Sequence, residues 1–558
     1  MRDMNHFIGR ILGGAALAAA ALVVATANAA VPGITSAGSG AAGSFTLVAS
    51  AGQTTQPDGA SIYTWGYGCT GTAKFAPAGL SGASCGSMQL PGPTLIVQQG
   101  STVTVTLNNN LPTAAGNTSI LFPGFQVSTS GGVPGALTQE APHGAAVTYT
   151  FVADTAGTHS YYSGTQGDLQ IEMGLYGAIV VLPTLSGNGG LPKGYTAQTG
   201  GSANAPGLPD TCFGLGGKLP SLDPSEFRLA PAAYDHPAAC YDREYLFQFA
   251  EMDPAIHTQA LEQVQAAPAC ANPTGCLSIV TEPYHPAYFL INGRSFPDIA
   301  DPVYAGAYPH QPYNGNPHMH PGELVLARVI GQGRLQHPFH EHANHLRVLA
   351  RDGNLLLSST KDSNRLAGPL LFTTTTTPGQ ALDAMFQYTA KGLNWDVYAH
   401  VLPALAVPGP TPANNPLSDP NPCYADANGY HTTGSGAAPS DYNYFEWCAD
   451  HGKPLESKPF GSVGSGGPVT LPDPNILVNG AWYSGSPYLG PDANARSVGP
   501  TPIPPFGTIA NDPGGEAGFA FMWHSHNERE ITTNNIFPGG MMMMMLVDPW
   551  VFRINEAN

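Results

Sequence analysis

The hydrophobic residues of this chain fall in short runs that Gly and Pro interrupt. In Thr94–Leu107, β-branched residues alternate with other residues on both sides of one Gln-Gly-Ser turn. Val147–Val152 and the apolar run Gly177–Leu182 follow. Alternation with a period of two is typical of β-strands that bury one face. We therefore predict an all-β protein in which long loops connect the strands.

A second group of strands lies further along the chain, at Glu244–Phe249, Leu324–Ile330 and Leu346–Leu349. The stretch from Asp253 to about Ala266 is helix-like but short. Stretches rich in Gly, Pro and Asn separate the strand groups. The recurrence of such blocks predicts tandem β-sandwiches.

Shifts in composition predict the domain boundaries. They divide the chain into a leader at 1–30, a first sandwich at 31–184, a linker or loop at 185–235, a second sandwich at 236–405, a loop insertion at 406–470 and a partial C-terminal sandwich at 471–553. We expect the last block to form a separate unit.

The first 30 residues have the pattern of a secretory signal peptide. Arg2 and Arg10 precede an apolar stretch from Ile11 to about Val24, and Ala27-Asn28-Ala29 matches a cleavage site. A membrane anchor is the alternative, but the run is short for a span. We expect a secreted or periplasmic protein whose mature chain does not insert into a membrane.

Composition narrows the classes of partner. Charged residues make up 10% of the 558, and the formal net charge is −18. Such a chain repels phosphate backbones, so nucleic-acid binding is not expected. Cationic partners, metal ions included, are compatible with this charge.

The eight cysteines favour disulfides, because their number is even and the chain is predicted to be exported. Thiolate metal ligands are the alternative. If neighbours pair, the bridges are Cys69–Cys85, Cys212–Cys240, Cys270–Cys276 and Cys423–Cys448.

Histidines give the strongest chemical signal. Three His-x-His pairs occur, at His318/His320, His340/His342 and His524/His526. Residues i and i+2 of a strand point to the same face, so each pair would aim two imidazoles at one place. Neutral imidazole is a good ligand for copper, zinc or iron, and three pairs in one chain favour a metal site. The pair at His318 is the weakest, because it lies in a Pro-rich loop.

The segment from His337 to His345, HPFHEHANH, resembles the His-Pro-x-His-x-His motif of the multicopper oxidases, which are built from cupredoxin β-sandwiches. Further resemblances follow in the order of the family's motifs. Residues 91–103 resemble its opening strands, and residues 157–163 and 174–181 resemble the end of its first domain. Residues 288–294 resemble a second-domain strand, and residues 522–526 resemble the last copper-ligating strand. The resemblance implies tandem cupredoxin-like Greek-key sandwiches, copper as cofactor, and O2 and a small reductant as reaction partners.

Several positions depart from the family pattern. The residues expected to be His in the first two motifs are Leu121 and Pro123, and Tyr162 and Gly164. These departures leave half of the imidazoles that the family's three-copper cluster uses.

The position of the blue-copper Cys reads Ser525, and a further His of that site reads Glu530. Because a blue copper needs a thiolate, we predict that none is present.

The candidate metal ligands follow from these motifs. His400 is equally compatible with an ordinary strand-end residue. The candidates are His337, His340, His342, His345, His400, His524 and His526. The run Met541–Met545 is compatible with Cu(I) binding, but core packing is the favoured interpretation.

Three functions remain open. The chain is a copper-dependent oxidoreductase with a reduced metal set, a non-catalytic copper-binding protein outside the cytoplasm, or a structural protein that kept the sandwich and lost the chemistry. All three share the fold, and the first two share the imidazole ligands.

Overall fold

A computed structural model describes most of two β-rich regions of the chain. The described residues are 31–35, 42–70, 74–76, 82–195, 228–269, 274–319, 323–358, 366–388, 423–425, 431–433, 485–488, 518–547 and 554. Of the predicted metal ligands, His400 lies outside these residues. His320, from the weakest His-x-His pair, lies outside them as well.

The first region is a β-sandwich. Its strands are β1 (Gly33–Thr35), β2 (Ala42–Thr55), β3 (Ser61–Cys69), β4 (Lys74–Ala76), β5 (Leu95–Gln98), β6 (Thr102–Asn109), β7 (Ser128–Gly131), β8 (Val133–Pro134), β9 (Gln139–Glu140), β10 (Ala146–Val152), β11 (Gly157–Tyr162) and β12 (Tyr176–Leu182).

Two five-stranded sheets form this sandwich, in the orders β11-β12-β5-β1-β4 and β3-β2-β6-β10-β7, and β8 pairs with β9. Strand β6 alternates buried and half-buried residues along its length, as the sequence pattern predicts. Its residues Val103, Val105 and Leu107 pack in the core with Trp65 and Tyr149.

The second region is also a sandwich. Its strands are β13 (Arg243–Met252), β14 (Tyr288–Ile291), β15 (His318–Met319), β16 (Leu324–Gly331), β17 (His337–Glu341), β18 (Leu346–Arg351), β19 (Asn354–Leu355), β20 (Leu370–Leu371), β21 (Thr373–Thr376), β22 (Ala381–Gln387), β25 (Gly485–Tyr488), β26 (Gly518–Ser525) and β27 (Met542–Val547). A separate pair is formed by β23 (Cys423–Ala425) and β24 (His431–Thr433).

One sheet of the second sandwich has the order β14-β13-β16-β22-β18-β19, with β20 beside β18. The other has the order β15-β27-β26-β17-β21, with β25 beside β26. The core between the sheets contains Phe247, Phe249, Phe339, Phe386 and Trp523. The prediction of an all-β fold of tandem sandwiches is confirmed.

The C-terminal strands complete the second sandwich. Strand β26 pairs with β17, and β27 extends the same sheet. The sequence predicted a separate partial sandwich for this block, but within the described residues its strands share the sheet that contains His337–Glu341. The reason is that backbone groups of β26 form their hydrogen bonds with β17, a strand far away in the chain.

Helices are few among the described residues. They are α1 (Gly167–Gln170) and α2 (Pro254–Ala266), with 3₁₀ turns at Thr113–Ala115, Pro237–Ala239, Ala267–Ala269, Asp298–Ala300 and Glu528–Ile531. The helix predicted from Asp253 is present as α2, and the Asp253 carboxylate caps its first turn by accepting a hydrogen bond from the Ala255 amide. No described helix has the length and apolar character needed to cross a bilayer.

Disulfide bonding agrees with one predicted pair. Cys69 and Cys85 form a bridge within the first sandwich. Cys240 and Cys276 each take part in a disulfide as well.

The two sandwiches meet at a buried polar network centred on Asp383 of β22. Its carboxylate accepts hydrogen bonds from the Thr158 amide at 3.1 Å, the Thr158 hydroxyl at 2.5 Å and the Tyr234 hydroxyl at 2.5 Å. The guanidinium of Arg328 lies 3.5 Å from Asp383 and 2.9 Å from Glu244. Because Thr158 belongs to the first sandwich and Asp383 to the second, this network joins them.

Replacing Asp383 by Ala should destabilise the protein by about 3 kcal/mol, because it leaves the buried Arg328 undercompensated and two hydroxyl donors unpaired. Chemical denaturation of the variant measures the loss. Replacing the exposed Glu262 by Gln is the control and should change the free energy of unfolding little. Equal stabilities of the Asp383 variant and wild type would contradict a supporting role for the network.

Candidate metal centre

The candidate centre is built on the adjacent strands β17 and β26. His340 lies directly opposite His524 in this antiparallel pair, and the His342 amide donates to the Met522 carbonyl at 3.3 Å. Directly opposite residues share a face of a sheet. Two His-x-His motifs that are far apart in sequence therefore present their imidazoles on one face.

Three of these imidazoles converge. One ring nitrogen from each of His340, His342 and His524 lies within 4.8 Å of the others. The three residues are only 3%, 7% and 6% exposed. The Nε2 atoms of His342 and His524 are 3.2 Å apart.

This spacing fits a shared metal ion. Two imidazole nitrogens on one tetrahedral ion, each about 2.0 Å from it, lie about 3.3 Å apart. No carboxylate or thiolate belongs to the cluster within the described residues, so the donor set is purely nitrogen. Copper, zinc and iron all accept such ligands.

Neighbouring groups orient the rings. The Nδ1–H of His524 donates to the Ser525 carbonyl at 2.7 Å, which makes Nε2 the nitrogen that carries the lone pair. Nδ1 of His340 is 2.7 Å from the Thr373 hydroxyl. Hydrogen bonds of this kind fix the ring orientation and the tautomer of metal-bound histidines.

The environment lowers the pKa of two of these imidazoles. Burial and the adjacent His342, His524 and His526 rings lower the pKa of His340 to about 4. Burial also lowers the pKa of His524. At neutral pH the rings of His340 and His524 are therefore in the form that binds metal.

His526 lies at the edge of the cluster. Its ring centroid is 4.7 Å from that of His340, and its side chain is 52% exposed. Phe372, 48% exposed, packs edge-on against His340 at 5.9 Å and against His345 at 5.1 Å. The buried imidazoles thus have an accessible His and an aromatic ring beside them.

The opposite face of β17 carries a different cluster. Both ring nitrogens of the fully buried His337 are hydrogen-bonded to carboxylates, Nδ1 to Glu530 and Nε2 to Glu251, each at 2.9 Å. We call these three residues the carboxylate clamp. Burial lowers the pKa of His337, but the two carboxylates outweigh that effect and raise the pKa to about 9.

Ser525 and Asn527 belong to the surroundings of the clamp. The Ser525 hydroxyl donates to Glu530 at 2.5 Å, and the Asn527 amide donates to the other oxygen of Glu530 at 2.8 Å. Both ring nitrogens of His337 are thus engaged by carboxylates. The sequence placed His337 among the candidate ligands; the structure places it away from the three-imidazole cluster.

Glu251 is the residue of this region that sequence analysis missed. It lies in β13, far from His337 in sequence, and its other oxygen accepts from the backbone amides of Arg334 and Leu335 at 2.7 and 2.9 Å. No motif marks it. Only the pairing of β13 with the rest of the sandwich brings it to the clamp.

His345 does not join the three imidazoles. Its ring packs on Phe372, and its backbone amide donates to the Asn344 side chain. It therefore lies in the aromatic surroundings of the cluster.

In the first sandwich, positions where imidazoles were expected do meet, through a backbone hydrogen bond and through an aliphatic side chain. The Leu121 amide donates to the Tyr162 carbonyl at 2.7 Å. A Cβ on Gly164 would lie 2.8 Å from Leu121 Cγ, so a side chain has no room there. This part of the first sandwich therefore offers backbone and aliphatic groups rather than nitrogen ligands.

Parts of this chain are similar to known proteins. A family model described as "Multicopper oxidase" matches residues 84–186. The chain is 35% identical over 98 residues to Multicopper oxidase MCE of Talaromyces pinophilus, a match that covers 17% of this chain and 15% of that protein. It is 34% identical over 116 residues to Laccase-3 of Botryotinia fuckeliana, covering 20% and 23%. The matched segment thus spans less than a quarter of either relative.

Solved structures also align over most of the chain. Multicopper oxidase mgLAC and the blue copper oxidase of Nitrosomonas europaea both align with a TM-score of 0.41, at 14% and 13% identity. Each alignment covers 90% of this chain, with 86% and 85% of the other chain.

The residues that the family model matches lie in the first sandwich. Over residues 84–186 this chain is similar to the multicopper oxidase family.

Proposed function

We propose that this protein is an exported, atypical copper-dependent oxidoreductase whose copper is held by imidazoles alone. His340, His342 and His524 are the ligands, and His526 lies beside them. The observation that carries the proposal is the convergence of three ring nitrogens within 4.8 Å. Copper is favoured over zinc or iron because the relatives are named as multicopper oxidases and laccases.

The carboxylate clamp supports the absence of a blue copper site. A blue site requires a Cys thiolate with two imidazoles. Ser525 offers a hydroxyl that is already donated to Glu530, and both nitrogens of His337 are engaged. In this design the residues that would hold the redox-active copper are the imidazoles themselves.

The surroundings of the cluster support direct access by small molecules. When bound, copper supplies one-electron chemistry with O2 and a small reductant. The chain contributes orientation through Thr373 and the Ser525 carbonyl, and a partly open approach past His526 and Phe372.

Export is supported by two independent features. The first 30 residues match a signal peptide, and the structure contains the Cys69–Cys85 bridge. Disulfides persist in oxidising compartments outside the cytoplasm.

Copper-loaded wild-type protein should show a Cu(II) paramagnetic resonance spectrum with nitrogen couplings and no intense thiolate-to-copper band in the visible. Replacing His340 or His524 by Ala should abolish or strongly weaken the retention of Cu(II), because each removes one of the converging nitrogens. Replacing the exposed His143 by Gln is the matched control and should leave copper content unchanged. Undiminished copper in the His524 variant, or an intense blue band, would contradict the ligand assignment.

The oxidoreductase assignment is tested by oxygen uptake. Copper-loaded wild-type protein should consume O2 in the presence of a phenolic reductant, and the His340→Ala variant should not. Copper binding without any uptake would replace this assignment by non-catalytic copper binding.

The clamp predicts a distinctive pH dependence of stability. Because the pKa of His337 is raised to about 9, its contribution is fully present below its ordinary value of 6.5 and is lost as pH rises through about 9. The loss amounts to about 3 kcal/mol for a shift of this size. Chemical denaturation of the metal-free protein across this range measures it.

The control for this experiment is His337→Gln, which cannot carry the charge. This variant should be less stable than wild type below pH 6.5 and should lack most of the decline between pH 6.5 and about 9. A decline of the same size in both proteins would assign it to other groups.

A further inference from the structure

Three methionines lie on the same sheet face as the imidazole cluster. In the pairing of β26 with β27, Met542 is directly opposite His524 and Met544 is directly opposite Met522. Because opposite residues share a face, Met522, Met542 and Met544 project on the side of His340 and His524. We call these three residues the thioether row.

Core packing accounts for the alternate methionines of the run but not for this row. Met541, Met543 and Met545 belong to the main core of the second sandwich, with Phe339 and Trp523. Met544 and Met522 are only half-buried, and Met542 is 4% exposed. The run Met541–Met545 therefore serves two faces, and one of them is the metal-binding face.

The strand register places methionine residues beside histidine residues. Residues directly opposite each other in a sheet have Cβ atoms about 5 Å apart, and diagonal neighbours are about 7–8 Å apart. Met542 is in direct register with His524, and Met522 is in hydrogen-bonding register with His342. Flexible thioether side chains can close such distances.

Further from the imidazoles, this face carries aliphatic residues in place of methionine. The next pair on this face is Ala520 opposite Leu546. An apolar face without chemical demands would accept Leu equally well at all these positions, since Leu and Met have similar volumes. Methionine occurs at the three positions nearest the cluster.

Thioethers are soft ligands that select Cu(I), whereas imidazoles also bind the harder Cu(II). We propose that Met522, Met542 and Met544 form a Cu(I)-binding site beside the imidazole centre, and that this site takes up Cu(I) and passes it to His524 and its neighbours. The half-buried Met544 and Met522 form its outer part, and Met542 its inner part. The second half of this proposal, the destination of the ion, rests on the proposed copper centre; Cu(I) binding by the row does not.

Anaerobic Cu(I) titration of the metal-free, full-length protein against a chromophoric Cu(I) chelator tests the site. The double variant Met522→Leu/Met544→Leu should bind Cu(I) about tenfold more weakly or worse than wild type. The matched control is Met543→Leu/Met545→Leu, which changes the same number of methionines on the core face and should keep the wild-type affinity.

X-ray absorption of the protein with one equivalent of Cu(I) provides a second readout that does not depend on activity. Wild type and the core-face control should show sulfur in the copper shell, and the Met522/Met544 variant should lose it. A copper shell without sulfur in wild type, or equal affinities in wild type and the Met522/Met544 variant, would overturn the proposal.

The His340→Ala variant separates this proposal from the copper centre. It should retain sulfur-ligated Cu(I) while losing the nitrogen-coupled Cu(II) spectrum. If wild type lacks that Cu(II) spectrum but binds Cu(I) through sulfur, the proposed copper centre fails and the thioether site stands.

Discussion

The pairing of His340 with His524 across β17 and β26 is the constraint on which the site depends. Successive residues of a strand alternate between faces, so this register places the imidazoles of both His-x-His motifs together. It also sends His337 and Ser525 to the other face. A slip of one residue would exchange the two sets, which makes the register itself the determinant of which residues can share an ion.

The two faces of the sheet shift the pKa of their histidines in opposite directions. On one, burial and the neighbouring imidazoles lower the pKa of His340, so that its ring is neutral at pH 7 and able to bind a cation. On the other, a charged imidazole is balanced by Glu251 and Glu530. A protonated ring between two carboxylates satisfies its own hydrogen bonds and needs no ion. Ser525 and Glu530 stand where the resemblance to the multicopper oxidases leads one to expect sulfur and nitrogen ligands, and here both take part in hydrogen bonds.

Sequence analysis predicted the parts of this structure that local patterns determine. The alternating runs identified the strands of both sandwiches and the helix at Pro254–Ala266, and the His-x-His spacing identified the three converging imidazoles. It did not predict that β26 and β27 complete the second sandwich, because strand pairing depends on contacts between distant segments. Glu251 was missed for the same reason, and the two-faced role of Met541–Met545 became apparent only from the register.

The most direct test of this account is a crystal structure of the copper-loaded protein with anomalous diffraction measured on both sides of the copper absorption edge. The account predicts a copper peak between His340, His342 and His524, and none between His337, Ser525 and Glu530. A copper peak on the Ser525 side of the sheet, or none beside the three imidazoles, would contradict it.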